Sequence, residues 1–353
     1  MTTISTNLHA SPARPASTAA ASVSSAAATA RALDMTIVMV NYRTPEDAIN
    51  SLASLAEHGQ NVVNFRVILV DNASGDGSVS QIADAIAARG WSPWVDLLPL
   101  PHNGGYASGN NAGIQRIIAQ PQPPRYVLLL NPDTIVRPEA LTRLMDFMES
   151  NPKAGMAGSR LEDPDGTPQC SAFRFPSACS ELDAGMRLGI VTRLLHRWIA
   201  APPPSDKAHA TDWVAGAAMI IRTDLFAQLG LLMDDRYFMY FEEVDFCFEA
   251  RRAGWSCWYV PSSHVVHLVG QSSGVTDTRR APRRRPAYWF ESRRRFFLRN
   301  RGFFRTALAD LAFAVGFATW RVRRRLQGKP DTDPPHMLWD FLRHSVWMHG
   351  PRL

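Results

Sequence analysis

The chain has 353 residues, 46% of them hydrophobic and 20% charged, with a formal net charge of +6. That length can bury a substantial core, and the balance is that of an ordinary globular protein. The arginines crowd into residues 279–325, so the positive charge belongs to a C-terminal segment and gives no reason to expect a nucleic-acid partner.

Residues 1–34 are rich in Ala, Ser and Thr and lack a continuous apolar run, which predicts a disordered leader rather than a signal or a spanning helix. Residues 35–40 form a continuous apolar run, the mark of a strand buried on both faces. Thr44-Pro45-Glu46-Asp47 then predicts a capping box that opens a helix carrying Ile49, Leu52 and Ala56. The unit repeats. Strands are predicted at 66–70, 94–100 and 126–130, with helices around 114–118 and at Leu141, Leu144, Met145 and Met148. Alternating strands and helices imply an α/β fold with a mainly parallel sheet, which binds ligands outside the carboxyl ends of its strands. Residues 154–274 are less regular and continue the same domain, giving a unit of 35–275. Residues 276–353 form a basic and aromatic extension, with a helix over 287–326. The four cysteines, Cys170, Cys179, Cys247 and Cys257, form no CxxC pair and read as reduced and structural.

Polar clusters fall at the predicted strand ends. Asp71-Asn72 could accept the N–H of a pyrimidine base, although the same pair also serves plain turn chemistry. Asn103-Gly104-Gly105-Tyr106-Ala107-Ser108-Gly109-Asn110-Asn111 opens a helix whose positive end could receive a diphosphate. Its glycine spacing is not that of a dinucleotide-binding turn. Asn131-Pro132-Asp133 offers a carboxylate to a divalent cation that phosphates and water would otherwise coordinate, or caps the helix that follows. Glu242, Glu243 and Asp245 stand among bulky apolar residues, where a general base or an ordinary acidic helix start would both fit. His264 and His267 have odd spacing on a predicted strand and face opposite ways; His267 is the better candidate for metal or phosphate.

Together these strings resemble the bacterial family 2 glycosyltransferases of the rhamnosyltransferase-like group. The match runs in order through a first strand ending Val40-Asn41-Tyr42, then VDNASGDGS, NGGYASGNN, LNPDT, WVAGAAMIIR, YFEEVDFC and VVH, followed by Gly270 and Ser272. The resemblance implies a GT-A fold over 35–275 and an inverting transfer from a nucleotide-diphosphate sugar to a cell-envelope glycan or lipid-linked acceptor, and it favours rhamnose from a dTDP donor. It makes Glu243 the catalytic base, where the family usually has Asp. It places Asp133 and His267 at a Mg²⁺ or Mn²⁺ ion. Donor or acceptor contacts fall to Asn41, Asp71, Asn72, Gly104, Gly105, Asn110, Asn131, Trp213, Gly216, Glu242 and Asp245. A sugar-1-phosphate nucleotidyltransferase is the rival enzyme, but the segment after the first strand reads NYRTPED, without the expected Gly- and Arg-containing loop and Lys. An inactive nucleotide-sugar-binding protein is the non-enzymatic rival. Residues 303–320 are apolar but interrupted by Arg305 and Asp310, which predicts an interfacial helix on the anionic cytoplasmic face of the membrane rather than a spanning one.

Overall fold

The computed structural model describes residues 33–59, 63–230, 232–268 and 282–352. The predicted leader up to residue 32, the boundary at 275, and Gly270 and Ser272 therefore lie outside the described residues.

Strand β1 (Met35–Asn41) is buried at every position, and the chain continues through α1 (Pro45–His58), β2 (Phe65–Asp71), α2 (Ser78–Ala88), β3 (Val95–Pro99), α3 (Gly105–Ile118) and β4 (Tyr126–Leu130). These four strands pair in parallel in the order β3-β2-β1-β4. The apolar run of β1 serves two cores at once. Ile37 and Met39 pack with Leu52 and Leu55 of α1, while Val38 and Val40 face Ile114 and Ile117 of α3 on the other side.

The second half comprises β5 (Thr134–Val136), α4 (Ala140–Ser150), β6 (Ala154–Glu162), β7 (Ala172–Phe173), α5 (Ala178–Met186), α6 (Gly189–Leu194), β8 (His209–Thr211), β9 (Trp213–Val214), β10 (Ala218–Arg222), α7 (Asp224–Leu229), α8 (Glu242–Arg252) and β11 (Ser256–His267). Here the sheet becomes mixed. β10 lies antiparallel between β4 and β6, β11 runs parallel to β6, and β5 closes the edge antiparallel to β11.

The predicted helix start at Thr44 and Pro45 is correct, but the capping box does not form. Thr44 instead sends its N–H and its hydroxyl to Asn41 Oδ1, each at 3.2 Å, which ties the helix entry to the end of β1.

The C-terminal segment forms α9 (Ala287–Leu326), α10 (Met337–Arg343) and α11 (Val346–His349). α9 breaks at Gly302, whose φ of 76° is open to glycine but unfavourable for other residues. The second half of α9 crosses α5 in backbone contact: a Cβ on Gly316 would stand 2.9 Å from Leu182 O, and one on Gly185 would stand 2.8 Å from Phe313 O. The interrupting Asp310 is explained here. It is 1% exposed and accepts from Arg293 Nη1 at 2.6 Å and from the Val346 N–H at 2.9 Å, while Arg293 also binds Glu181 at 2.8 Å. The charge therefore points inward into a buried ion-pair network. The opposite face of α9 exposes Phe304, Leu308, Leu311 and Val315, spaced along one helical stripe. By length and composition α9 is long and apolar enough to cross a membrane, although 39% of its apolar window is buried against the protein.

Candidate active site

At the ends of β1 and β2, which pair Asn41 with Asp71, the polar residues build a loop among themselves. Asn41 Nδ2 and the Ser74 hydroxyl donate to Asp71 Oδ2 at 2.8 and 2.7 Å, and the Ser74 N–H donates to Oδ1 at 3.0 Å. Asp71 is thus buried beneath the loop that it shapes, with one oxygen retaining acceptor capacity. Arg43 and Ala73 sit at φ of 60° and 56° in this loop, a strained conformation of the kind that clusters at functional sites.

In the Gly-rich turn the glycine conformation serves a close backbone approach. Gly105 has φ +88°, and a Cβ there would lie 1.9 Å from the carbonyl oxygen of Phe238. The backbone that approaches it is the protein's own: the Tyr106 N–H donates to Phe238 O at 2.8 Å. Asn111 adds a two-way clamp, donating to Met233 O and accepting from Met233 N. Asn72 Nδ2 bonds Asn103 Oδ1 and Gly105 O, both at 2.9 Å, and Asn110 Nδ2 closes the first turn on Tyr106 O. Gly109 lets the helix settle on Val40. This turn fixes the segment that leads into α8. Gly105→Ala is accordingly expected to destabilise the fold by about 1–3 kcal/mol, read by urea denaturation, because a methyl group and a carbonyl would need the same space.

Tyr106 joins motifs that the sequence leaves separate. Its hydroxyl donates to Asn131 Oδ1 and to Gly216 O, each at 3.0 Å. Burial, and then the nearby Glu242 and Glu243, push its phenol far above the ordinary range, so it remains a neutral donor. The one hint in the sequence was an aromatic residue directly after Gly-Gly at a helix start.

Asp133 and His267 do come together, since His267 pairs with Thr134 across β11 and β5. His267 Nε2 lies 3.4 Å from Asp133 Oδ1, and the Leu268 N–H donates to Asp133 O at 2.9 Å. His264 faces elsewhere, its Nδ1 3.0 Å from Glu162. Asp47, taken from the sequence as part of a cap, lies near enough that Asp133, after burial, raises its carboxyl. No group of three or more metal-ligating side chains occurs among the described residues. One carboxylate beside one imidazole suits a cation whose remaining ligands are diphosphate and water.

Glu242 and Glu243 occupy the first turn of α8, after Tyr240 and Phe241, which both adopt left-handed backbone at φ of 68° and 69°. This entry strains two bulky residues to aim the helix start. Each carboxyl leaves its Oε2 buried without a hydrogen-bond partner. Burial and then the charge of Glu243 drive the Glu242 carboxyl well above its usual range. Burial also raises Glu243, but the Glu242 side chain and the helix N–H groups of Glu243 and Val244 restrain the rise. Two carboxyls buried side by side resist carrying two charges, so the pair keeps a proton more readily than an isolated carboxyl would.

Two sequence candidates are anchored elsewhere. Asp245 accepts from Asn300 Nδ2 at 2.6 Å and lies 3.1 Å from Arg299, tying α8 to α9 on the side away from Glu243. Trp213 stacks on Phe173 at 4.1 Å and donates to Arg174 O.

Residues 36–200 match the family model described as Glycosyl transferase family 2. Over 254 residues the chain is 32% identical to an N-acetylglucosaminyl-diphospho-decaprenol L-rhamnosyltransferase of Mycobacterium tuberculosis H37Rv, covering 67% of this chain and 77% of that one. Among solved structures, it is similar to the mannosyltransferase PcManGT from Pyrobaculum calidifontis in complex with GDP-Man and Mn²⁺, with a TM-score of 0.55, 13% identity, and coverage of 91% of this chain and 85% of that one. It is also similar to GalNAc-T7 with UDP, GalNAc and Mn²⁺, with a TM-score of 0.57 and 13% identity, covering 89% of this chain and 55% of that one. These two likenesses concern the fold, which is of the GT-A type.

Proposed function

Because this chain belongs to glycosyl transferase family 2, we propose that it transfers a sugar, rhamnose first among the candidates, from a nucleoside-diphosphate donor to a hydroxyl of a lipid-linked or cell-envelope glycan, with inversion. The observation that carries this reading is the Glu242–Glu243 pair at the start of α8, near enough to Tyr106 that both carboxyls raise its phenol, while the Tyr106 hydroxyl binds Asn131. Glu243 takes the proton of the acceptor hydroxyl as that oxygen bonds to the anomeric carbon. The bond to the donor diphosphate breaks and its electron pair leaves with the nucleoside diphosphate. With the pair's proton on Glu242, its hydroxyl donates to Glu243 and orients it. Asp133 and His267 would hold a divalent cation, which would neutralise charge on the leaving diphosphate. The Mn²⁺ in both structural relatives supports that choice.

The test is incubation with dTDP-, UDP- and GDP-sugars and an N-acetylglucosaminyl-diphospho-lipid, with the product anomer determined by NMR. Transfer with inversion supports the proposal. Retention, or donor binding without transfer, overturns it, and release of pyrophosphate from a nucleoside triphosphate would revive the nucleotidyltransferase.

Attachment to the cytoplasmic face of the membrane follows from the same reading. The exposed stripe of α9 and the surrounding arginines suit an anionic interface, where each basic residue contributes about 1 kcal/mol. Binding to phosphatidylglycerol vesicles is expected to weaken at high salt. Salt-independent binding, or none at low salt, would contradict this.

A further inference from the structure

A cavity of about 840 Å³ lies between α8, α9 and the start of α5. Six arginines line it against a single carboxylate, Asp212. Asp212 is taken by Arg251, and Arg252 reaches Glu249. Arg301 lies over the Phe248 ring at 5.2 Å, with its Nε buried and unpartnered, and no ion pair engages it or Arg305 among the described residues. Burial, together with Arg305 and Arg251 alongside, pushes the Arg301 guanidinium down, as expected where cations outnumber their counter-charges. The wall is also apolar. Leu308 and Trp198 line the cavity while being 57% and 48% exposed, and Leu308 belongs to the stripe of Phe304, Leu311 and Val315. α8 carries Glu243 in its first turn and Arg251 eight residues later, about 12 Å along its axis.

We propose that this cavity binds the diphosphate headgroup of a single-chain lipid, with Arg301 and Arg305 on the phosphates and the hydrocarbon chain along Leu308 and Phe304. The inference rests on the glycosyltransferase reading, and gives the acceptor a place to be held by its lipid end. Planar guanidinium groups suit phosphate oxygens. A site for a soluble phosphate would have no use for the exposed apolar stripe at its mouth.

The probes are farnesyl diphosphate, farnesol and inorganic pyrophosphate, titrated into the full chain in EDTA so that metal-dependent binding at the donor site is silent. Farnesyl diphosphate is expected to bind at least about tenfold more tightly than either other probe. The double variant Arg301→Gln, Arg305→Gln should weaken it by about 10–100-fold, the worth of one charge-assisted hydrogen bond or more. Leu308→Ser, at an exposed position, should weaken farnesyl diphosphate and leave pyrophosphate unchanged. Nucleotide-sugar affinity with Mn²⁺, measured in every variant, checks that the fold is intact. Equal binding of pyrophosphate and farnesyl diphosphate, with no effect of Leu308→Ser, overturns the lipid in favour of a soluble phosphate. Unchanged affinity in the arginine variant overturns the cavity. Failure of any nucleotide sugar to bind the wild-type chain would refute the glycosyltransferase reading separately, leaving the farnesyl diphosphate result to stand on its own.

Discussion

Glu243→Gln is expected to lower turnover by roughly 10²–10⁴-fold, the usual contribution of a general base, with donor affinity little changed. Glutamine keeps the size and the hydrogen bonds of the helix start but cannot take a proton. Glu243→Asp, which restores the usual family residue, should retain measurable activity. The partner separates orientation from chemistry. Glu242→Gln still offers a donor to Glu243 and should stay active, whereas Glu242→Leu removes the polar side chain that restrains the Glu243 carboxyl. The acid limb of the kcat/KM profile should lie above the ordinary carboxylate range in the wild type and move to higher pH in Glu242→Leu. The effect on stability has the opposite sign. A carboxyl whose folded value is raised holds its proton more tightly in the native state, so its contribution to stability falls as pH rises from the unfolded value through the folded one. Both glutamine variants should therefore be more stable than wild type above that window. If Glu243→Gln turns over near the wild-type rate while Glu242→Gln is dead, the base is Glu242.

The parallel half of the fold was readable because each strand is buried on both faces and so appears as an unbroken apolar run, as in 35–40 and 126–130. The antiparallel insertion of β10 was not, since a short buried run has the same composition whichever direction it pairs. In the site, proximity in sequence carried Asp71 to its loop and Glu242 to Glu243. It could not reveal that the Gly105 turn receives Phe238, more than a hundred residues away, because a glycine demanded by a ligand and one demanded by backbone look alike. Asp245 is a related case. Three acids in one helical turn look equivalent until the partners are known, and Arg299 and Asn300 come from a helix beyond the next strand.

Asp133→Ala is expected to reduce turnover by roughly 10²–10³-fold or more, and EDTA should do the same to the wild-type enzyme, because charge develops on a leaving diphosphate that needs a preorganised counter-charge. Asp133 is 5% exposed and its backbone carbonyl accepts from Leu268 whatever its side chain, so the strand end should survive the substitution. His267→Ala should be milder, raising the Mn²⁺ concentration needed for half-maximal turnover while leaving the limiting rate closer to wild type, since diphosphate and water can replace a neutral imidazole more readily than a charged carboxylate. A readout independent of turnover is Mn²⁺ binding by electron paramagnetic resonance with nucleoside diphosphate present. Asp133→Ala should lose the bound signal and His267→Ala should weaken it. Full turnover of the wild-type enzyme in EDTA, or Mn²⁺ binding unaltered by Asp133→Ala, would remove the cation from the proposed chemistry and leave the leaving group to the N–H groups and dipoles of the fold.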